Sequence, residues 1–334
     1  MRITVFGSGG WGTAIAILLC GNGHDVTLWS AFESEAAALR DTRENPLLKG
    51  VKIPDDVHIT SNLKQSLADA ELAVIATPSF AVRETAVKLR GALTGDCVVV
   101  CVSKGIEQNS SRLFSEILRD ALGEKRRIAS LSGPTHAEEV SLRIPTACVA
   151  ASRDRDAAEL VQDVFMNEYF RVYTSDDVVG VELGAALKNV IALCAGICDG
   201  LGYGDNTIAM LATRGLTEIA HLVIALGGRR ETVAGLAGLG DLIVTCTSRH
   251  SRNRRAGVLI GKGYSVKDAM SEVGAVVEGY YAARAARDLS ERTGIDMPIC
   301  SEAYRVLYED KDPRAALREL MTRTKRSETE ENFI

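Results

Sequence analysis

The chain has 334 residues, 46% of them hydrophobic and 25% charged, with a formal net charge of −5 at neutral pH. That length suits two domains with sizeable cores, and the mild negative charge excludes a field that would gather nucleic acid or an anionic membrane surface. The most apolar stretch, 183–197, is expected to be too short to cross a bilayer and carries Lys188, and Met1-Arg2 leads straight into a strand with no export signal, so a cytoplasmic protein is expected.

A β-branched, apolar run at 2–6 meets the turn Gly7-Ser8-Gly9-Gly10-Trp11-Gly12 and then a helix of small apolar residues. This is the spacing of a dinucleotide-binding turn. Gly7 permits the tight bend, Gly9 lets the backbone approach a pyrophosphate, and Gly12 lets the helix pack against the strand. The helix N-terminus then offers free N–H groups to the phosphates. A second strand at 25–29 completes a βαβ unit. An acid about 20 residues past the glycines would take a ribose hydroxyl, whereas an arginine would take a 2′-phosphate. The stretch from Trp29 to Glu35 holds no base, and Glu33 leans the reading from NADP toward NAD.

Further strands are expected at 57–60, 72–76, 98–102, 127–131 and 147–150, with helical segments between several of them. Such alternation predicts a mostly parallel, doubly wound sheet, a Rossmann-like α/β domain over 1–178. Thr77-Pro78, Ser103-Lys104-Gly105 and Ser132-Gly133-Pro134-Thr135 fall at strand ends, where open α/β sheets bind ligands. From Asp177 the pattern turns helical, at about 179–198, 206–226, 252–262, 266–272, 279–292, 298–309 and 313–322. An all-α substrate domain over 179–322 is expected, followed by a loose polar tail at 323–334.

Lys188 stands in a segment apolar on nearly every face, so burial would lower its pKa and make its amine a proton donor or acceptor near neutral pH. The alternative is a lysine that snorkels to the edge. Asp241 follows a run of glycines and would hold that amine in place, or else cap a helix. Ser251-Arg252-Asn253-Arg254-Arg255 opens an apolar helix and reads as an anion site, in which Ser251 caps the helix and guanidinium forks match phosphate geometry. A solvated basic face and an RNA patch remain as alternatives. Lys104 is a candidate substrate clamp or a solvent-exposed loop residue. His136 is a candidate general acid, but beside the acidic helix start Glu138-Glu139 it is expected at the surface. Eight scattered cysteines without a C-x-x-C pair read as buried thiols in a reducing compartment, and no metal is expected at Cys194 and Cys198.

Seven blocks in order, GSGGWGTA, SKGIE, LSGPTHAEEV, ELGAALKNVIA, GLGDLIVTCTS, SRNRRAG and VVEG, resemble those of the bacterial-type NAD(P)-dependent glycerol-3-phosphate dehydrogenases over almost the whole chain. The resemblance implies reversible hydride transfer between nicotinamide and dihydroxyacetone phosphate or sn-glycerol 3-phosphate, which supplies phospholipid synthesis. It implies that Lys188 exchanges the proton, with Asp241 and Lys104 completing the catalytic group. Substrate contacts fall on Lys104, Gly133, Thr135, Lys188, Asp241, Ser251, Arg252 and Asn253. Cofactor contacts fall on Gly10, Trp11, Lys104, Ala137, Arg252, Val276 and Glu278. It also implies a homodimer. Three departures stand out: Gly10 where the family often has Ser, His136 where Phe is usual, and Ala31-Phe32 where an arginine commonly receives the adenosine phosphate. Two rival readings remain: a two-domain dehydrogenase of hydroxy acids or sugar acid phosphates, and a noncatalytic nucleotide sensor.

Overall fold

The computed structural model describes residues 1–325, 327 and 328. Most of the tail expected at 323–334 lies outside the described residues. Eight strands form one sheet: β1 (Arg2–Phe6), β2 (Asp25–Trp29), β3 (His58–Thr60), β4 (Leu72–Ile75), β5 (Val98–Cys101), β6 (Ile128–Ser132), β7 (Thr146–Ala151) and β8 (Phe170–Ser175). Their order is β3-β2-β1-β4-β5-β6-β7-β8. Pairing is parallel throughout except between β6 and β7. The interleaved helices are α1 (Gly10–Gly21), α2 (Glu33–Thr42), α3 (Leu63–Ser66), α4 (Val82–Leu89), α5 (Phe114–Leu122), α6 (Ala137–Ser141) and α7 (Arg155–Phe165).

Strands β4, β5 and β6 are buried along their whole length because both sheet faces are covered. The period-two alternation divides them between two cores. Leu72, Val74, Val98 and Val100 join one apolar cluster, and Ala73, Ile75, Val99 and Cys101 join another. The order of strands reverses at β1, so the glycine turn at its carboxyl end stands at the switch point where such sheets hold ligands. The strand β8 was not expected from the sequence. Only Phe170 and Val172 of it are fully buried, and so short an alternation is a weak signal.

From Val178 onward the described elements are helical: α8 (Val178–Gly200), α9 (Asp205–Ala225), α10 (Arg230–Val233), α11 (Asp241–Thr247), α12 (Arg252–Gly261), α13 (Val266–Val273), α14 (Glu278–Thr293), α15 (Pro298–Tyr308) and α16 (Pro313–Met321). A π-helical turn at Leu236–Gly240 leads into α11. The sequence pattern missed this region, because glycines at 235, 238 and 240 hide its helical period.

Helix α8 is the axis of this part. Gly196 and Gly200 on α8 face Gly257 and Gly261 on α12 so closely that a Cβ at any of the four would lie 2.1–2.3 Å from a backbone oxygen of the opposite helix. Small residues one turn apart therefore let the two backbones touch, and this contact fixes where α12 begins relative to Lys188. One expectation is corrected here: α8 and α9, at 23 and 21 residues with mean hydropathy 1.7 and 1.4, are both long and apolar enough to cross a membrane. The uninterrupted run at 183–197 understated the helix, which continues at both ends. In α8, 89% of the apolar window is buried inside the protein, as in a core helix.

Candidate active site

The glycine turn has the geometry its residue types require. Gly7 has φ +119°, a region side chains rarely adopt, and a Cβ at Gly12 would lie 1.9 Å from the Gly7 carbonyl oxygen. A Cβ at Gly9 would meet nothing within 4 Å, so the fold alone leaves that position open. That open space lies at the N-terminus of α1, whose free N–H groups are of the kind that hold a phosphate. Gly10 opens α1, and a Cβ there would come within 3.3 Å of Leu47 Cβ. The Trp11 indole N–H donates to the Val102 carbonyl at 3.1 Å, tying α1 to the end of β5.

Glu33 is not at this turn. Its carboxylate accepts from the Ser61 hydroxyl and the Arg40 guanidinium, and these hold its pKa below the usual range. The acid that faces the glycines is Glu35, which accepts from Ser30 at 2.9 Å and Ser8 at 3.1 Å. A helix begins at Glu33, so residues two apart point in different directions, and sequence distance alone could not tell which one turns toward β1.

At the carboxyl edge of the sheet three charged groups converge. Lys188 is 4% exposed, and its amine donates to Asp241 Oδ1 at 2.8 Å and to the Thr245 hydroxyl at 2.6 Å. Lys104 donates to Asp241 Oδ2 at 2.8 Å, to the Gly133 carbonyl at 2.7 Å and to the Thr135 hydroxyl at 3.2 Å. The Lys188 amine is thus turned inward and does not snorkel. Burial pushes its pKa down to about 8, although Asp241 pulls it back up. Burial opposes the charge on Asp241 too, but the two ammonium groups hold its carboxyl below the ordinary carboxylate range. Asp241 lies on the first turn of α11, and Thr245 one turn further on shares its face.

The anion cluster is brought to the same place. Ser251 caps α12, its hydroxyl accepting from Arg254 N–H at 3.2 Å. Asn253 is buried, donates to Asn189 Oδ1 at 2.9 Å and accepts from Gly279 N–H at 2.8 Å. Asn189 follows Lys188 on α8, so this contact ties the start of α12 to the same turn of that helix. Arg254 is bound to Asp199 at 2.5 Å, whereas Arg252 is exposed on the first turn. Glu278, opening α14, accepts from Ser79 N–H; burial raises its pKa, which Ser79 and Arg252 partly offset, and Val276 lies two residues earlier. Ala137 opens α6 at the end of the β6 loop. Thr245, Asn189 and Glu35 were missed by sequence reasoning; the four-residue step from Asp241 to Thr245 was the one readable signal. His136 departs from its expected surface position, since its Nε2 is buried. Among the described residues no group of three His, Cys, Asp or Glu could hold a metal.

A dinucleotide-type glycine turn at the switch point of the sheet and a buried, pKa-shifted amine at its carboxyl edge define the class: a nicotinamide-dependent dehydrogenase built from a Rossmann-type sheet and a helical partner. Residues 2–158 match the family described as NAD-dependent glycerol-3-phosphate dehydrogenase N-terminus, and residues 177–318 match the corresponding C-terminus. A glycerol-3-phosphate dehydrogenase [NAD(P)+] of Agathobacter rectalis is 49% identical over 98% of this chain and 97% of its own length. One from a Thermoanaerobacter species is 51% identical over 98% and 99%. The crystal structure of glycerol-3-phosphate dehydrogenase from Coxiella burnetii superposes with a TM-score of 0.92 at 37% identity, covering 96% of this chain and 99% of that one. The chain belongs to the NAD-dependent glycerol-3-phosphate dehydrogenase family.

Proposed function

We propose that the chain interconverts dihydroxyacetone phosphate and sn-glycerol 3-phosphate, with Lys188 as the proton donor and acceptor. The observation that carries this reading is the Lys188–Asp241–Lys104 array, with Lys188 and Asp241 buried and Lys104 partly so. Ser251, Arg252 and Asn253 bind the substrate phosphate through the free N–H groups of the first turn, the guanidinium and the amide. The keto oxygen then faces the Lys188 ammonium, which stabilises charge developing on it and delivers the proton. Asp241 fixes the position of that amine and keeps it charged more of the time than burial alone would allow. Lys104, with Gly133 and Thr135, closes the other side of the substrate. Nicotinamide, when bound, supplies or takes the hydride at the same carbon.

The turn Gly7–Gly12 would hold the pyrophosphate, and Gly10, Trp11, Ala137, Arg252, Val276 and Glu278 line the path toward the nicotinamide. NAD is favoured slightly over NADP, because Ser30, Ala31 and Phe32 place no cation at the end of β2. In this reading residues 1–178 bind the cofactor and 179–322 the substrate, in a cytoplasmic homodimer with no nucleic-acid partner and no membrane insertion. Supply of glycerol phosphate for phospholipid synthesis is its metabolic role.

The test is absorbance of NADH and NADPH in parallel with dihydroxyacetone phosphate as acceptor, on wild type and Lys188→Ala. Turnover should fall by about three powers of ten or more in the variant. A folded variant within tenfold of wild type would refute the assignment of Lys188.

A further inference from the structure

The edge of the sheet remote from the glycine turn carries a second concentration of charge. A cleft of about 240 Å³ opens where β6 begins and β7 ends, and Arg119, Lys125, Arg126, Arg127 and Arg153 line it together with Glu124 and Asp154. Five cations thus face two carboxylates, an excess of three positive charges in a chain whose net charge is −5. Lys104 and Gly133 follow the carboxyl ends of β5 and β6, whereas this cleft adjoins their amino ends. The length of a strand, roughly 15 Å, therefore separates it from the proposed substrate site.

The two carboxylates do little to neutralise the cleft. Glu124 is 79% exposed and lies 3.8 Å from Arg119, so water screens that pair. Asp154 is committed to the fold: it caps α7, accepting from Ala157 N–H at 3.2 Å, and it accepts from Arg127 Nε at 2.8 Å. That bond fixes the Arg127 guanidinium and leaves both of its Nη groups without an acceptor among the described residues. Arg126 is fixed through Nη1 alone, which donates to the carbonyls of Thr94, Gly95 and Cys97 at 2.6–3.2 Å. Carbonyl oxygens position the guanidinium without cancelling its charge, and its Nε and Nη2 stay open. Lys125 and Arg153 are exposed and make no ion pair among the described residues. Two guanidinium groups are thus held in place with donors to spare, and forks of this kind match the oxygens of phosphate groups.

We propose that this cleft binds a soluble anion that carries a diphosphate group. A phosphate monoester brings only about 1.5–2 negative charges at neutral pH, so a second phosphate group is needed to balance the excess. Arg126 and Arg127 offer one fork to each phosphate, with Lys125 and Arg153 at the rim.

The experiment is calorimetric titration of inorganic pyrophosphate into the protein saturated with NADH and sn-glycerol 3-phosphate, a pair that cannot react and that fills both parts of the proposed active site. Wild type should bind pyrophosphate at physiological salt about tenfold or more tightly than orthophosphate. Arg126→Gln, and the double variant Lys125→Gln with Arg153→Gln, should each weaken binding about tenfold or more. Arg126 also ties down the turn before β5; the double variant changes only exposed side chains and should keep wild-type turnover, which shows that it is folded. ADP titrated in the same way tells a diphosphate ester from the free ion, and binding of either that is lost in the double variant supports the site. Affinity within about twofold of wild type in the double variant would overturn the proposal, as would equal affinity for orthophosphate. Binding that disappears in Arg252→Ala would place the anion in the substrate site and overturn it too. So would binding to vesicles of anionic phospholipid without any binding of pyrophosphate or ADP, which would make the cleft a membrane contact.

Discussion

Replacing Asp241 by Asn removes the negative charge that both lysines share while keeping the volume of the side chain. Each ammonium lies 2.8 Å from one carboxylate oxygen, and the carboxylate is 2% exposed, so little water is present to replace it. A charge-assisted hydrogen bond of this kind contributes about 1.5–3 kcal/mol, equivalent to about one to two pH units on the amine. The Lys188 pKa, already pushed down to about 8 by burial, should therefore drop further. Near neutral pH the ammonium would give way largely to the neutral amine. Ketone reduction, which needs the ammonium, should lose several-fold from titration alone. Oxidation of glycerol 3-phosphate, which needs the neutral amine, should begin its rise with pH one to two units lower. The assay is kcat/KM in both directions from about pH 5.5 to 9.5 on wild type and Asp241→Asn. If both limbs keep their wild-type midpoints, Asp241 does not set the protonation of the catalytic group, and the coupling deduced from the geometry is wrong.

Gly9→Ala should leave the melting temperature nearly unchanged, because its φ is −66° and the added Cβ meets no atom within 4 Å, yet NADH binding should weaken about tenfold or more; fluorescence titration that finds wild-type affinity would remove the pyrophosphate from this turn. Gly12→Ala should instead fail to yield soluble protein, its Cβ lying 1.9 Å from the Gly7 carbonyl oxygen. Glu182 on α8 is buried and accepts from Ser115 N–H, the Ser115 hydroxyl and the Ser130 hydroxyl, joining α8 to α5 and β6. Burial raises its pKa from 4.5 to about 7, so the folded state holds a proton that the unfolded chain releases. Its contribution to stability is present below pH 4.5 and declines to a loss of about 3 kcal/mol as pH rises to about 7. Glu182→Gln should flatten that decline in urea titrations, and an unchanged pH slope would contradict a protonated Glu182.

Much of the site could be read along the chain because its parts are local. The bend at Gly7, the open approach at Gly9 and the close helix at Gly12 follow from residues within one turn, where the lack of a side chain acts at its own position. Lys188 announced itself in the same way, since a lone cation in a segment apolar on every face has few places to put its charge. Burial of Glu278 against Ser79, 199 residues away, had no such local sign. Glu33 and Glu35 were equally plausible by distance from the glycines, and only the start of α2 decided that Glu35 turns toward Ser8. The region at 230–247 went unread because glycines interrupt the helical period that would have revealed it.

The order of chemical groups, from dinucleotide turn to buried amine to arginine cluster, was determined by the linear sequence, since each depends on neighbours within a few residues. That Lys104 and Lys188 share one carboxylate, 137 and 53 positions away from it, was decided only in three dimensions. The physical reason is backbone contact: four glycines let α12 lie directly on α8, and the Asn253–Asn189 bond then ties the start of α12 to the turn of α8 that carries Lys188, a spacing that depends on packing between helices and on no periodicity within either.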